Sequence, residues 1–240
     1  MELVVIGSSS KGNCYLLRND KETLVIECGL PFTEVQKALG YEIQGIVGAL
    51  ISHRHKDHAG YAKDFARRGI TIMTNNDVIS SLDSPARCFC KPMRDKCLYG
   101  VGGFRVMPFN VTHDVPCFAF LIHHADIGNL LFVTDTCGFK YKLADINHIM
   151  IEANYADDIL EENIQNGSVL PVQRTRLLKT HMELETTKRI LSRLQGENLK
   201  DVMIIHLSSG NSDSERFSRE IQQVTGLPTY SAIPNLKISL

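Results

Sequence analysis

The sequence predicts a mixed α/β sandwich, two β-sheets flanked by helices. Three observations carry that expectation. Short apolar runs rich in Val, Ile, Leu and Phe recur along the 240 residues. Helical patterns fall between them only at intervals, without strict strand–helix alternation. No Pro-, Gly- or Ser-rich linker and no fixed-period repeat divides the chain, so residues 1–240 are expected to form one domain.

Runs at 3–6, 14–17 and 23–26 have the length and β-branched content of strands and precede any helix. A helical pattern at 32–39 leads to a strand at 46–51, a helix at 57–68, a strand at 70–74 and a helix at 76–82. Four further runs, 104–111, 117–123, 130–134 and 146–151, read as strands without an intervening helix. Helices at 157–165 and 183–194, a strand at 202–205, a helix at 213–224 and a short strand at 235–240 complete the pattern. In the helix at 183–194, Leu184, Thr187, Lys188, Leu191 and Leu194 leave an apolar stripe beside a charged face.

Composition narrows the class. With 43% hydrophobic and 22% charged residues the chain has ordinary globular usage, which excludes a disordered polymer. A net charge of -1 leaves any attraction for a polyanion to a local patch. Met1 leads straight into a strand-like run, with no secretory-type start and no apolar stretch of membrane-spanning length, so the expected location is the cytoplasm and no membrane partner is expected. Seven scattered cysteines, an odd number, fit reduced thiols there. Cys88, Cys90 and Cys97 lie close together, but their spacing matches no recognised zinc site.

The strongest local signal is Ser52-His53-Arg54-His55-Lys56-Asp57-His58, three histidines and an aspartate directly after an apolar strand. Neutral imidazole and carboxylate are ligands that divalent metals such as zinc prefer. In an extended segment His53 and His55 project to one side, and a following turn into helix lets Asp57 and His58 address a second metal. His113, Asp135 and His206 each stand just beyond a predicted strand. Alone, each reads as a structural histidine or a turn residue; their repeated position suggests that they converge. One bridging carboxylate, Asp135, with His53, His55 and His113 on one metal and Asp57, His58 and His206 on the other accounts for every member.

H-x-H-x-D-H with a later His, a later Asp and a C-terminal His resembles the metallo-β-lactamase superfamily. The segments Gly7-Ser8-Ser9-Ser10-Lys11-Gly12-Asn13-Cys14, Thr134-Asp135-Thr136, Glu152-Ala153-Asn154 and His206-Leu207-Ser208 are similar to its YycJ/WalJ-like branch, related to tRNase Z nucleases. This resemblance implies a four-layer αββα sandwich, two divalent ions (Zn or Mn, with Fe also accommodated) and phosphodiester hydrolysis by a metal-bridging hydroxide. It implies a nucleic acid or nucleotide as substrate, DNA exonuclease activity being known in the branch, and leaves a homodimer open. It places His53, His55, His113 and Asp135 on one metal and Asp57, His58, Asp135 and His206 on the other. His181 stands where relatives carry a histidine that contacts the phosphate and helps protonate the leaving group, and Glu152 resembles the carboxylate that orients it. The chain departs from the pattern around His181, where Thr180 and Met182-Glu183 replace Gly and Leu-Ser.

Asp57 is also placed to orient the attacking hydroxide. Asp114 reads either as a support for a ligand or as a solvated turn residue. The segment at 8–13 reads as a hairpin turn, with a phosphate-cradling loop as the alternative. Arg174, Arg176, Lys179, Lys188, Arg189 and Arg193 make the surroundings of His181 basic, as a nucleic-acid track or as a solvated helix face. A nuclease is the leading expectation, followed by a cyclic-nucleotide phosphodiesterase and then a lactonase or thioesterase. A non-enzymatic scaffold would be expected to have lost ligands, and none is lost.

Overall fold

The computed structural model describes residues 1–240. Its first half forms β1 (Glu2–Gly7), β2 (Cys14–Arg18), β3 (Thr23–Ile26), α1 (Phe32–Ala38), β4 (Ile46–Leu50), α2 (Lys56–Ala59), α3 (Ala62–Ala66), β5 (Ile72–Thr74), α4 (Asn76–Ser81), α5 (Ser84–Arg87) and β6 (Cys90–Pro92). The second half forms β7 (Tyr99–Val101), β8 (Phe104–Val111), β9 (Cys117–His124), β10 (Gly128–Val133), β11 (His148–Glu152), α6 (Asp157–Gln165), α7 (Pro171–Thr180), α8 (Leu184–Leu194), β12 (Asp201–Ile205), α9 (Ser214–Thr225), β13 (Thr229–Ser231) and β14 (Lys237–Ser239). No helix is long and apolar enough to cross a membrane.

The strands make two seven-stranded sheets, ordered β14-β1-β2-β3-β4-β5-β6 and β13-β12-β11-β10-β9-β8-β7. Each mixes antiparallel hairpins with a parallel run, β3 to β6 in one and β10 to β13 in the other. Alternation along the strands sorts the apolar side chains into three packed layers. Tyr15, Leu17 and Ile26 of one sheet meet Phe104, Phe120 and Phe132 of the other between the sheets. Phe32, Val35, Phe65 and Val78 cover the outer face of the first sheet from its helices. Leu184, Leu191, Phe217 and Ile221 cover that of the second. The result is the four-layer αββα sandwich, and each fully buried Leu or Phe adds about 1.5–3 kcal/mol of hydrophobic stabilisation.

Several elements differ from the sequence expectation for identifiable reasons. The helix expected at 57–68 is two short helices, because Cys28 captures the backbone between them: its N–H donates to the His58 carbonyl at 2.7 Å and its carbonyl accepts the Tyr61 N–H at 2.9 Å. In α8 the buried stripe is completed by Ile190, while Lys188 reaches outward to Glu185 and Glu220. Helix α7 was not expected. Only Thr180 is buried along it, and Val172 and Leu178 face solvent, so it offers no apolar stripe to read. Pro171 at its first turn supplies the start instead. Strands β6, β7 and β13 have three residues each, too few to display an alternation.

Candidate metal centre

The C-terminal ends of the parallel strands share one edge of the sandwich, and polar residues follow or end most of them. Glu27 follows β3, Ser52 and His53 follow β4, Thr134 and Asp135 follow β10, Glu152 ends β11, and His206 follows β12. Open α/β sheets commonly bind ligands beyond their carboxyl ends. Three of these residues bend sharply as they leave the sheet: Glu27, Asp135 and His206 have φ of 66°, 47° and 53°, a left-handed conformation unfavourable for side chains other than Asn, Asp and His. Such conformations concentrate at functional sites.

Around this edge stand six of the nine histidines, His53, His55, His58, His113, His181 and His206, with Asp57, Asp135 and Glu152. The structure thus brings together all nine residues that the sequence assigns to the metals or to catalysis. Asp135, His58 and His206 are almost fully buried, yet Asp135 and His206 line, with His55, Asp57, His113 and His181, a cavity of about 330 Å³ that also touches Arg176.

Most histidines of the cluster are held through one ring nitrogen and present the other. Ser52 Oγ contacts His53 Nδ1 at 2.9 Å, the Thr180 carbonyl accepts from His113 Nδ1 at 3.0 Å, and Glu152 Oε1 lies 3.2 Å from His206 Nδ1. Glu27 Oε1 lies 3.5 Å from His58 Nδ1, and its carboxylate also accepts the Ser52 N–H. His55 is turned the other way, with Nε2 3.4 Å from Asp114 Oδ1 and Nδ1 toward the cluster. The same Asp114 oxygen lies 3.1 Å from His113 Nε2, so this exposed carboxylate touches both rings, which favours the first of its two readings.

The presented atoms fall into two sets, His53–His55–His113 and Asp57–His58–His206, and Asp135 groups with His53 of the first and with His58 of the second. His53 Nε2 lies 3.1 Å from His55 Nδ1, which lies 3.3 Å from His113 Nε2. His58 Nε2 lies 3.0 Å from Asp135 Oδ2 and 3.3 Å from Asp57 Oδ2, itself 3.3 Å from His206 Nε2. Ligands at 2.0–2.1 Å around a tetrahedral ion are about 3.3 Å apart, so these spacings suit a divalent cation in each set. His113 keeps its proton on Nδ1 against the Thr180 carbonyl, so its Nε2 turns a lone pair toward His55 Nδ1 and Asp114, an arrangement that a cation satisfies better than a hydrogen bond.

The titration behaviour is consistent with this. Burial works against charge on His206, but Asp135, Asp57 and Glu152 prevail and raise its pKa to about 10. For His58, burial is likewise overcome by Asp135 and Glu27, and its pKa rises well above the ordinary value. Burial would neutralise Asp135, yet His206 and His58 hold it ionised, and hydrogen bonds from the same two rings do so for Asp57. Buried away from any carboxylate but Asp135 and next to His58, His53 is pushed well below its usual value. Carboxylate charge thus dominates one side of the cluster and neutral imidazole the other. A divalent cation can be held on both sides.

His181 enters from the end of α7 in an extended conformation. Its Nδ1 lies 2.6 Å from Glu152 Oε1, and the other Glu152 oxygen accepts the Thr136 and Met182 N–H groups at 3.2 and 3.3 Å. Burial opposes protonation of His181, but Glu152 outweighs it and raises the pKa. The segment at 8–13 is a hairpin turn between β1 and β2 that also buttresses the site. Ser8 Oγ accepts the His206 N–H at 2.8 Å, and the Asp57 carbonyl accepts the Asn13 N–H at 2.7 Å. Gly29 permits that approach, since a Cβ there would lie 1.7 Å from the Asp57 carbonyl oxygen. Glu27 was missed from sequence, though it stands just past a strand as the other cluster residues do. Cys88, Cys90 and Cys97 belong to none of the donor groups close enough to share one cation.

Residues 9–72, from the β1–β2 turn through H-x-H-x-D-H, match the Metallo-beta-lactamase superfamily. The exodeoxyribonuclease WalJ of Streptococcus pneumoniae is 24% identical over 230 residues, covering 88% of this chain and 83% of that protein. The exodeoxyribonuclease YycJ of Bacillus anthracis is 22% identical over 236 residues, covering 92% and 87%. The crystal structure of the metallo-β-lactamase fold protein YhfI from Bacillus subtilis superposes with a TM-score of 0.75 at 15% identity, covering 99% of each chain. Two seven-stranded sheets between helices, a His/Asp cluster suited to divalent metal at their shared edge and this likeness over nearly the whole length agree: the chain is a hydrolase with the metallo-β-lactamase fold, similar in sequence to that superfamily.

Proposed function

We propose that this hydrolase is a two-metal phosphodiesterase acting on nucleic acid, with an exodeoxyribonuclease as the leading form. The observation that carries the reading is the pair of donor sets joined through Asp135, with His181 and its partner Glu152 beside them. The two exodeoxyribonucleases to which the chain is similar support a DNA substrate. His53, His55, His113 and Asp135 would hold one cation, and Asp57, His58, Asp135 and His206 the other. Zinc and manganese both suit such ligands, and iron is accommodated.

When bound, the cations supply an acidified water at neutral pH and positive charge opposite the substrate oxygens. The chain's own groups then divide the work. Asp57, ionised and bordering the cavity, orients the attacking water. The Nδ1–H of His181 is fixed by Glu152, so Nε2 is the atom left to give a proton to the departing oxygen, and the Glu152 charge favours the protonated ring. Both sheets contribute ligands, so we read residues 1–240 as one domain. Seven free thiols suit the reducing cytoplasm.

The test is hydrolysis of bis-p-nitrophenyl phosphate, linear DNA, single-stranded RNA and cyclic nucleotides by metal-stripped protein resupplied with Mn or Zn, beside Asp135→Ala. Metal-dependent loss of DNA, absent in the variant, is expected. Turnover of cyclic nucleotides alone would indicate a small-molecule phosphodiesterase instead. No phosphodiester cleavage at all would point to a lactone or thioester substrate.

A further inference from the structure

Three hollows lie in a row on the face that carries the cluster. The cavity of about 330 Å³ over the His/Asp residues shares His113 and Arg176 with a second hollow of about 550 Å³. That hollow shares Thr112 and Cys137 with a third of about 500 Å³, reaching Tyr141 and α8. Shared walls make them one trough. Each hollow alone has the size of a small-ligand site, so the trough offers far more room than a small ester needs.

Its charge is one-sided. Arg176 and Lys179 border the second hollow, and Lys140, Arg189 and Arg193 the third. None of the five pairs with a carboxylate. Neighbouring cations outside the trough are neutralised: Arg174 meets Glu161 at 2.9 Å, and Lys188 meets Glu185 at 2.6 Å and Glu220 at 3.0 Å. Beyond the cluster, Asp114 is the only acid on the walls, and it is engaged by His113 and His55. A run of unneutralised cations along a concave path favours a polyanion, and half-buried Tyr141, set beside Phe139 on the wall of the third hollow with Lys140 over its ring, adds an aromatic surface against which an unpaired base can pack.

We infer that the trough is the path of a single-stranded polynucleotide whose scissile phosphodiester lies over the His/Asp cluster. Arg176 and Lys179 neutralise the phosphates next to it, and Lys140, Arg189 and Arg193 those further along. The inference rests on the nuclease reading and adds to it a direction of approach and a set of specificity-determining residues.

Cys137, exposed on the wall between the second and third hollows, is a built-in reporter, and exposed Cys88 and Cys97 are internal references. Iodoacetamide labelling of the metal-loaded wild-type protein would be followed with phosphorothioate oligo(dT) from dinucleotide to decanucleotide, which resists cleavage. The decanucleotide should slow labelling of Cys137 but not of Cys88 or Cys97, and the dinucleotide should not. In parallel, Arg189→Gln/Arg193→Gln should reduce the slope of log affinity against log salt by about 1.4, about 0.7 for each phosphate no longer neutralised.

Unchanged Cys137 labelling by a decanucleotide that is demonstrably bound, while DNA is still cleaved, would overturn the path and leave the nuclease reading standing. Equal shielding by a blunt duplex would overturn the single-strand assignment. If no oligonucleotide binds and none is cleaved, the path falls together with the nuclease reading.

Discussion

Along β10, Leu131, Phe132 and Val133 are completely buried among apolar neighbours, and immediately beyond them Thr134 and Asp135 are almost as deeply buried among charges. The same contrast separates Ile151 from Glu152 and Ile205 from His206. Burial is nearly equal; the partners differ. In mid-strand, loss of water contact is itself stabilising. At the strand ends it opposes every charge, and the carboxylates stay ionised only because imidazoles stand within hydrogen-bonding distance. Stability and chemistry therefore occupy successive residues of the same strands and should be separable by substitution.

The largest separation is expected at Asp135. Asp135→Ala removes the carboxylate that stands between His53 of one donor set and His58 of the other, so hydrolysis should fall to background while circular dichroism still shows the αββα fold. His181→Ala should retain bound metal and lose about 10²–10⁴-fold in kcat, the usual contribution of a positioned general acid. A substrate with a good leaving group, such as a nitrophenyl diester, should lose much less. Phe132→Ala acts in the opposite sense. It should lower unfolding free energy by about 3–5 kcal/mol in denaturant titrations and leave the metal content of the folded protein unchanged. Glu27→Gln weakens the support behind His58 and should cost about 10–100-fold in metal affinity, read by competition with a chelating dye.

The smallest effect is chemical. Burial holds the thiols of Cys14 and Cys28 above their ordinary pKa, with Glu27 adding to it for Cys14 and Cys14 adding to it for Cys28. Both should resist alkylation at pH 8 in the folded protein, whereas exposed Cys88 and Cys97 react. Rapid labelling of Cys14 would show that the layer between β2 and the helices opens readily.

The same contrast explains what could be read in the sequence. Apolar runs announce mid-strand segments, and for β8 and α6 the expected and observed bounds coincide. Cluster residues were legible where unusual residue types gather, as in His53 to His58, or recur just past an apolar run, as with His113, Asp135 and His206. Glu27 has the same placement, but a glutamate before Cys-Gly looks like a surface turn until its full burial is seen. The break between α2 and α3 was not legible because Cys28, far away in sequence, makes it. Helix α7 was hidden because its apolar side chains face outward, beside the trough rather than the core. The basic residues around His181 separate only in three dimensions, Arg174 and Lys188 into ion pairs and Arg176, Lys179, Arg189 and Arg193 into the trough walls.

The most direct test of a two-cation phosphodiesterase is a titration of metal-stripped protein with Mn or Zn, following cleavage of linear DNA and bound metal together. Two donor sets joined through Asp135 predict that cleavage rises to a plateau at two equivalents per chain and that Asp135→Ala reaches neither the plateau nor the stoichiometry. A plateau at one equivalent, or DNA cleavage that persists after the metal has been removed, would contradict it.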